Sequence, residues 1–203
     1  VRLRLSSKGF NETELKTKID HQVEKVKLLI DKYIYGYEEY GQEQPKLEEI
    51  LGKLLLDTKL KLGLAESCTG GYISHLITSV AGSSAYYNGC IVPYHNEFKH
   101  DLLKVNSTVF EKYGAVSKEC VLEMVKETLT TFNADVAIAV SGIAGPGGGT
   151  DEKPVGTTWI AVADGGKIIS KQFVFGDNRQ RNIQMTAMTA MNMLRKLILN
   201  LYI

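Results

Sequence analysis

From Lys46 onward the apolar residues fall into runs that alternate between helical and strand spacing. Leu47, Ile50, Leu51 and Leu54 recur at the intervals of a helix face, and Leu62, Leu64 and Ala65 mark a strand over about 61–66. Ile73, Leu76, Ile77 and Val80 then resume helical spacing. A strand is predicted over 86–93, a helix over 96–104, and another helix from Ser117 with Glu119 in its first turn and Val121, Met124, Val125 and Leu129 inward. Asp135 to Val140 reads as a short apolar strand. Strands over 157–163 and 168–175 are joined by the hairpin turn Asp164-Gly165-Gly166. Ile183, Ala187, Ala190, Met191, Leu194, Ile198 and Leu201 form the inward stripe of a last helix. This alternation predicts an α/β fold, a three-layer α/β/α domain over 46–203 with the sheet in the middle. The closing hairpin makes that sheet mixed.

Residues 1–45 are patterned differently. Val1, Leu3 and Leu5 alternate with Arg2, Arg4 and Ser6, as in a half-buried strand. Asn11 precedes a charged helix with Glu14 at the reciprocal capping position and Leu15, Ile19, Val23, Val26 and Ile30 in a stripe. Ile34-Tyr35-Gly36-Tyr37 resembles a second short strand, and Gln42 to Pro45 is a polar linker. The prediction is a small β-α-β appendage, too small to bury much surface alone.

Composition narrows the function classes. At 203 residues and 44% hydrophobic content the chain has room for one sizeable domain plus the appendage. A net charge of +1 gives no reason to expect nucleic acid as a partner. No apolar run reaches the roughly 18 residues of a membrane span. Three cysteines without a Cys-x-x-Cys spacing suggest neither a disulfide framework nor a zinc site, so no metal is expected and a reducing cytoplasm is the simplest location. The chain opens on Val1 rather than methionine, which reads as a piece of something longer.

Candidate chemistry collects at three places. In Ala65-Glu66-Ser67-Cys68-Thr69-Gly70-Gly71 two nucleophiles, Ser67 and Cys68, stand where a strand ends and a helix begins. Free N–H groups at such a start favour a phosphate or an oxyanion. In Pro93-Tyr94-His95-Asn96-Glu97-Phe98-Lys99 both Tyr94 and Lys99 can move protons, and burial would lower the lysine's pKa toward a base's range. Ser141-Gly142-Ile143-Ala144-Gly145-Pro146-Gly147-Gly148-Gly149-Thr150 follows a buried strand and can aim several N–H groups at one anion. It is neither a P-loop nor a dinucleotide fingerprint. Gly82-Ser83-Ser84 adds two hydroxyls, and Arg179 and Arg181 open the last helix, where an arginine suits a phosphate.

Taken in order, these motifs, together with Gly114-Ala115-Val116-Ser117 and Lys153-Pro154-Val155-Gly156-Thr157, resemble the CinA family, specifically its C-terminal nicotinamide-nucleotide amidase domain. The resemblance runs from about 47 to 200; each motif is weak, and the ordered set is specific. Residues 1–45 are similar to the tail of the KH-like segment that precedes this domain in full-length members. The large N-terminal domain of those proteins, linked to ADP-ribose pyrophosphatase activity, has no counterpart here. The KH-type Gly-x-x-Gly loop is not visible, so nucleic-acid binding is not expected.

The resemblance implies hydrolysis of the carboxamide of nicotinamide mononucleotide to nicotinate mononucleotide and ammonia, a step of NAD recycling in the pyridine nucleotide cycle. It implies a metal-independent hydrolase without cofactor, cytoplasmic, and a homodimer or higher homo-oligomer. Ser67 would be the nucleophile, with Lys99 and Tyr94 transferring protons. N–H groups near Thr69 to Gly71 would hold the oxyanion. Glu66, Thr69, Gly70, Gly71, Ser83, Ser84, Asn96, Ser141, Gly142, Gly145, Gly147, Gly148, Arg179 and Arg181 would line the substrate. Ser141 stands where the family more often has threonine, which keeps the hydroxyl. Two other readings use the same residues: a non-catalytic nucleotide-binding or regulatory module, and a dimerisation module.

Overall fold

The computed structural model describes residues 3–38 and 45–201. The chain divides into two compact units, Val1–Pro45 and Lys46–Ile203. In the first, Asn11 Oδ1 accepts the Glu14 N–H (3.2 Å) and starts helix α1 (Glu12–Ile30), along which the expected apolar stripe is half-buried. The two flanking strands do not form among the described residues. Leu3–Leu5 and Ile34–Tyr37 are irregular and mostly exposed, and Val1 and Arg2 lie outside the described residues, as do Gln42 to Gln44 of the linker. Two short alternating segments without a third strand or a covering layer leave backbone groups better satisfied by water than by each other.

The second unit runs α2 (Leu47–Thr58), β1 (Leu62–Glu66), α3 (Tyr72–Thr78), β2 (Tyr87–Ile91), α4 (Asn96–Leu103), α5 (Ser107–Tyr113), α6 (Lys118–Phe132), β3 (Val136–Gly142), β4 (Thr157–Ala163), β5 (Ile168–Val174) and α7 (Arg179–Ile198). The strands form one open sheet in the order β2-β1-β3-β4-β5. β1 is parallel to β2 and β3, while β4 and β5 are antiparallel to their neighbours, so the sheet is mixed as predicted. α5 has no counterpart in the apolar pattern; its signal is Asn106, whose side chain accepts the Thr108 N–H. β3 extends past Val140, so Ser141 and Gly142 close a strand rather than open a loop. Among the described residues no helix is long and apolar enough to cross a membrane.

The strand sequences alternate between large and small apolar residues, and register turns this into two unlike faces. Leu64 pairs with Ile138 and Ile138 with Val162; Ala65 pairs with Ala139 and Ala139 with Ala161. The large face, with Leu62, Val136, Val140 and Ile160, packs on the inward sides of α2, α3 and α7. The alanine face packs on α4, α5 and α6 through Leu103, Val109, Val121, Met124 and Val125. Small residues let α6 approach closely: a Cβ on Gly63 would lie 3.1 Å from both Thr128 and Phe132.

This layering positions the site. β1 leads into α3 on the large face, and β2 leads into α4 on the alanine face. Adjacent parallel strands whose connections leave to opposite sides open a crevice at their carboxyl ends, where α/β proteins bind ligands. The turn after β1 carries Ser67 and the segment after β2 carries Tyr94 and Lys99.

Candidate active site

Glu66 ends β1, and its side chain is completely buried. Oε2 accepts from Thr69 Oγ1 (2.7 Å) and from the N–H groups of Gly71 (3.1 Å) and Ile73 (3.0 Å); Oε1 accepts from the Ser74 N–H (2.7 Å). A helix of seven residues is too short to be stable alone, and a carboxylate on its free N–H groups supplies what its length does not. Two expectations change here. Glu66 is inaccessible to a substrate. The Gly71 N–H belongs to Glu66, and the Gly70 N–H donates to the Ser67 carbonyl (3.1 Å), so neither is free for an oxyanion. Thr69's hydroxyl is likewise engaged. The Ser67 N–H donates to the Val140 carbonyl (3.1 Å). No carbonyl takes the N–H groups of Cys68 and Thr69 among the described residues, the Cys68 N–H lying only against its own thiol, and these are the donors of this turn that remain available.

Ser67 is 7% exposed, and its hydroxyl forms no hydrogen bond among the described residues. Cys68 beside it is buried, and burial pushes its thiol up to about 12, which keeps it protonated and inert at neutral pH. Between the two nucleophiles the environment therefore favours Ser67.

Lys99 is 1% exposed, an unusual position for a lysine. From the first turn of α4 its Nζ reaches back to donate to the carbonyl oxygens of Pro93 (2.9 Å) and Tyr94 (3.3 Å). Burial lowers its pKa below the ordinary lysine value, opposed by the thiols of Cys120 and Cys68. Cys68 is thus within electrostatic reach of the amine. A neutral amine has two N–H donors and one lone pair. With both donors given to carbonyls, the lone pair is left as a proton acceptor.

The lowered pKa has a sign that stability measurements can read. Between the folded value and the 10.5 of the unfolded chain, the unfolded state holds more protons, so stability rises with pH across that window. The penalty for burying a charged Lys99 is fully present below the folded pKa and gone above 10.5. Urea denaturation of wild type and Lys99→Met between pH 7 and pH 10.5 is expected to show wild type gaining on the variant as pH rises, by at most about 1.4 kcal/mol per pH unit. A constant difference across that range would contradict the burial of a titrating amine.

Tyr94 is 59% exposed and does not reach Ser67 through a hydrogen bond. Its hydroxyl accepts from Arg179 Nη2 (3.1 Å), while Arg179 Nη1 donates to the Gly145 carbonyl (2.7 Å). Asn182, buried in the first turn of α7, donates from Nδ2 to the carbonyls of Ala144 (3.0 Å) and Gly176 (2.9 Å). The glycine loop is thereby tied to α7 at two points. Its end is tied too: Gly156 has φ +88°, and any Cβ there would run into the carbonyl of Gly176. Nothing in the sequence marks Asn182, which is one polar residue among several in a helix start.

Other expected site residues divide by position. Gly142, Gly145, Gly147, Gly148, Asn96 and Arg181 are at the carboxyl ends of β1–β3 or beside them, and the Arg181 guanidinium has no hydrogen-bond or ion-pair partner among the described residues. Ser141 is there as well, but its hydroxyl is buried and donates to the Ala115 carbonyl (2.8 Å). Ser83 and Ser84 are not. They form a short 3-10 turn before β2, at the amino end of β1, where Leu62 N–H donates to the Tyr86 carbonyl. The five residues of β1 put roughly 15 Å of strand between them and Ser67. An open groove of about 440 Å³ adjoins the Ser67 turn between α3 and α7, lined by Thr69, Gly70, Tyr72, His75, Gln180 and Gln184 among others. Ser67, Tyr94 and Lys99 are not among its lining residues.

Comparison with known proteins shows the family. The family model described as the CinA C-terminal domain matches residues 44–198. A CinA-like protein of Cytophaga hutchinsonii is 46% identical over 196 residues, 97% of this chain and 46% of that protein. The chain spans about half the length of the curated relatives it matches. Among solved structures, the competence/damage inducible protein CihA from Agrobacterium tumefaciens superposes with TM-score 0.71 at 37% identity, covering 77% of this chain and 98% of that one. A CinA superfamily protein from Klebsiella pneumoniae superposes with TM-score 0.73 at 32% identity, covering 77% and 99%. With its open mixed sheet, the ordered motifs along it and relatives at this level of identity, the chain belongs to the CinA family, whose C-terminal domain it carries.

Proposed function

We propose that the chain hydrolyses the carboxamide of nicotinamide mononucleotide to nicotinate mononucleotide and ammonia. The observation that carries this reading is Lys99, an almost wholly buried amine of lowered pKa that feels the charge of Cys68, the residue next to Ser67 at the carboxyl end of β1. Ser67 Oγ attacks the carboxamide carbon as its proton passes to the Lys99 lone pair. The carbonyl oxygen becomes an oxyanion facing the unspent N–H groups of Cys68 and Thr69. The C–N bond then breaks, with a proton delivered to nitrogen through Tyr94 or the protonated Lys99, and ammonia leaves. Water hydrolyses the acyl-serine ester in the same manner and regenerates Ser67. The groove beside Gly70 and the glycine loop give room for the rest of the nucleotide, with Arg181 free to meet its phosphate.

One observation favours a second reading, a nucleotide-binding module without chemistry: among the described residues the side chains of Ser67, Tyr94 and Lys99 form no hydrogen-bonded chain, although catalytic contacts often tighten only around substrate. Ammonia release and thermal shift, measured together on the mononucleotide, separate the two. Ammonia from a mononucleotide-stabilised protein supports the amidase. A thermal shift without ammonia supports the binding module, and neither response removes both.

A further inference from the structure

Arg179 begins α7, so as a cation near a helix amino terminus it opposes the helix dipole, and its place there calls for a reason. A phosphate is one such reason. The structure offers another. Each terminal nitrogen gives one of its N–H groups to a protein acceptor, Nη1 to the Gly145 carbonyl (2.7 Å) and Nη2 to the Tyr94 hydroxyl (3.1 Å). These acceptors are 34 and 85 residues away in the chain, one in the loop after β3 and one in the segment after β2. The start of α7 is itself held, because Asn182 binds Ala144 and Gly176 and Asn178 Oδ1 accepts the Arg181 N–H (2.9 Å). A planar fork on a fixed base can span two acceptors, which a lysine ammonium on a flexible stem cannot do with the same geometry.

We propose that Arg179 is a positioning residue for Tyr94: it ties the phenol to the glycine loop and acts through Tyr94 rather than by binding substrate. The inference rests on the amidase reading for its catalytic consequence. By donating to the phenol oxygen, Arg179 occupies a lone pair there and turns the phenol's own proton away from the guanidinium. That proton is then the one available to the departing nitrogen. The same guanidinium fixes Gly145, so the glycine loop and the phenol that can deliver the proton are set by one side chain.

The test is steady-state ammonia release from two substrates that differ only in the phosphate, nicotinamide mononucleotide and nicotinamide riboside. Wild type, Arg179→Ala, Arg179→Lys, Tyr94→Phe and the double variant Arg179→Ala/Tyr94→Phe are compared. Arg179→Ala is expected to lower kcat on both substrates by the same factor, about 10²-fold, the usual result of misplacing a catalytic group. KM for the mononucleotide is expected to stay near wild type, Arg179→Lys not to rescue, and the double variant to be no slower than Tyr94→Phe. A rise in KM confined to the phosphorylated substrate, or losses that multiply in the double variant, would overturn the proposal and leave the amidase reading intact. If wild type releases ammonia from neither substrate, the amidase reading fails, and the tie is read without activity. In protein carrying 13C at the tyrosine ring positions, Arg179→Ala then shifts and narrows the Tyr94 resonance if Arg179 holds the ring, and an unchanged resonance overturns the proposal.

Discussion

Replacing Ser67 by alanine is expected to abolish ammonia release from nicotinamide mononucleotide, by at least about 10³-fold in kcat, while leaving the folded protein almost unperturbed. The two halves of this prediction come from one observation. The Ser67 hydroxyl has no hydrogen-bond partner among the described residues, so its removal breaks nothing that holds the turn. The turn is held by its backbone and by Glu66. The midpoint of thermal unfolding is therefore expected within about 2 °C of wild type, the shift of less than about 1 kcal/mol in a domain of this size. Cys68→Ser is the companion variant: with a buried thiol raised to about 12 it takes no part as a nucleophile, and most activity is expected to survive. Full activity in Ser67→Ala together with its loss in Cys68→Ser would exchange the two roles.

Glu66→Ala is expected to give the largest loss of stability of any single substitution in the turn, about 4 kcal/mol or more. The carboxylate accepts three backbone N–H groups and one hydroxyl in a place without solvent. Hydrogen bonds to a charged group contribute about 1.5–3 kcal/mol each, and a buried donor left without a partner costs about 1–3 kcal/mol. Partial relaxation and entry of water offset some of the sum, which keeps the expectation near the upper end for a point substitution. A fall of roughly 8–16 °C in the thermal midpoint follows. Glu66→Gln keeps the shape but has one acceptor oxygen where two are used, so about half the loss is expected. Urea unfolding of the three proteins measures both. A Glu66→Ala loss below about 1 kcal/mol would mean that α3 does not depend on this carboxylate.

Much of the fold was legible because the signals are local. The 157–163 strand, the 96–104 helix and the inward stripe of α7 are stated by the periods of their own apolar residues, and the structure places them within a residue or two. The appendage shows where that approach stops. Leu3 and Leu5 alternate correctly, but alternation describes a strand only if another strand lies beside it, and none does among the described residues. α5 failed in the opposite direction, being a single short helix with too few apolar positions to show a period.

The candidate site was legible as a set of residues but not as an allocation of their hydrogen bonds. Ser67, Tyr94, Lys99 and the glycine loop stand out by their chemistry together with the family resemblance, and the parallel arrangement of β1, β2 and β3 brings their segments to one end of the sheet. Ser83 and Ser84 have the same chemistry on paper and sit at the other end, because they precede a parallel strand rather than follow one. The resemblance makes Glu66, Ser141 and Arg179 substrate ligands, whereas the folded chain engages each of them with its own backbone or side chains.

The sequence by itself determined the order and kind of most elements, the starts of α1 and α6 at Asn11 and Ser117, and the ordered motifs that mark the family. Each is a property of neighbours within a few positions, where spacing and side-chain size already state the physics. Only the tertiary structure decided that Lys99 is buried against two carbonyls, that Glu66 takes up the donors of α3, and that Arg179 joins Tyr94 to Gly145. Burial and the choice of a hydrogen-bond partner depend on which distant segments share a place, and that is settled only when the sheet closes the distance between them.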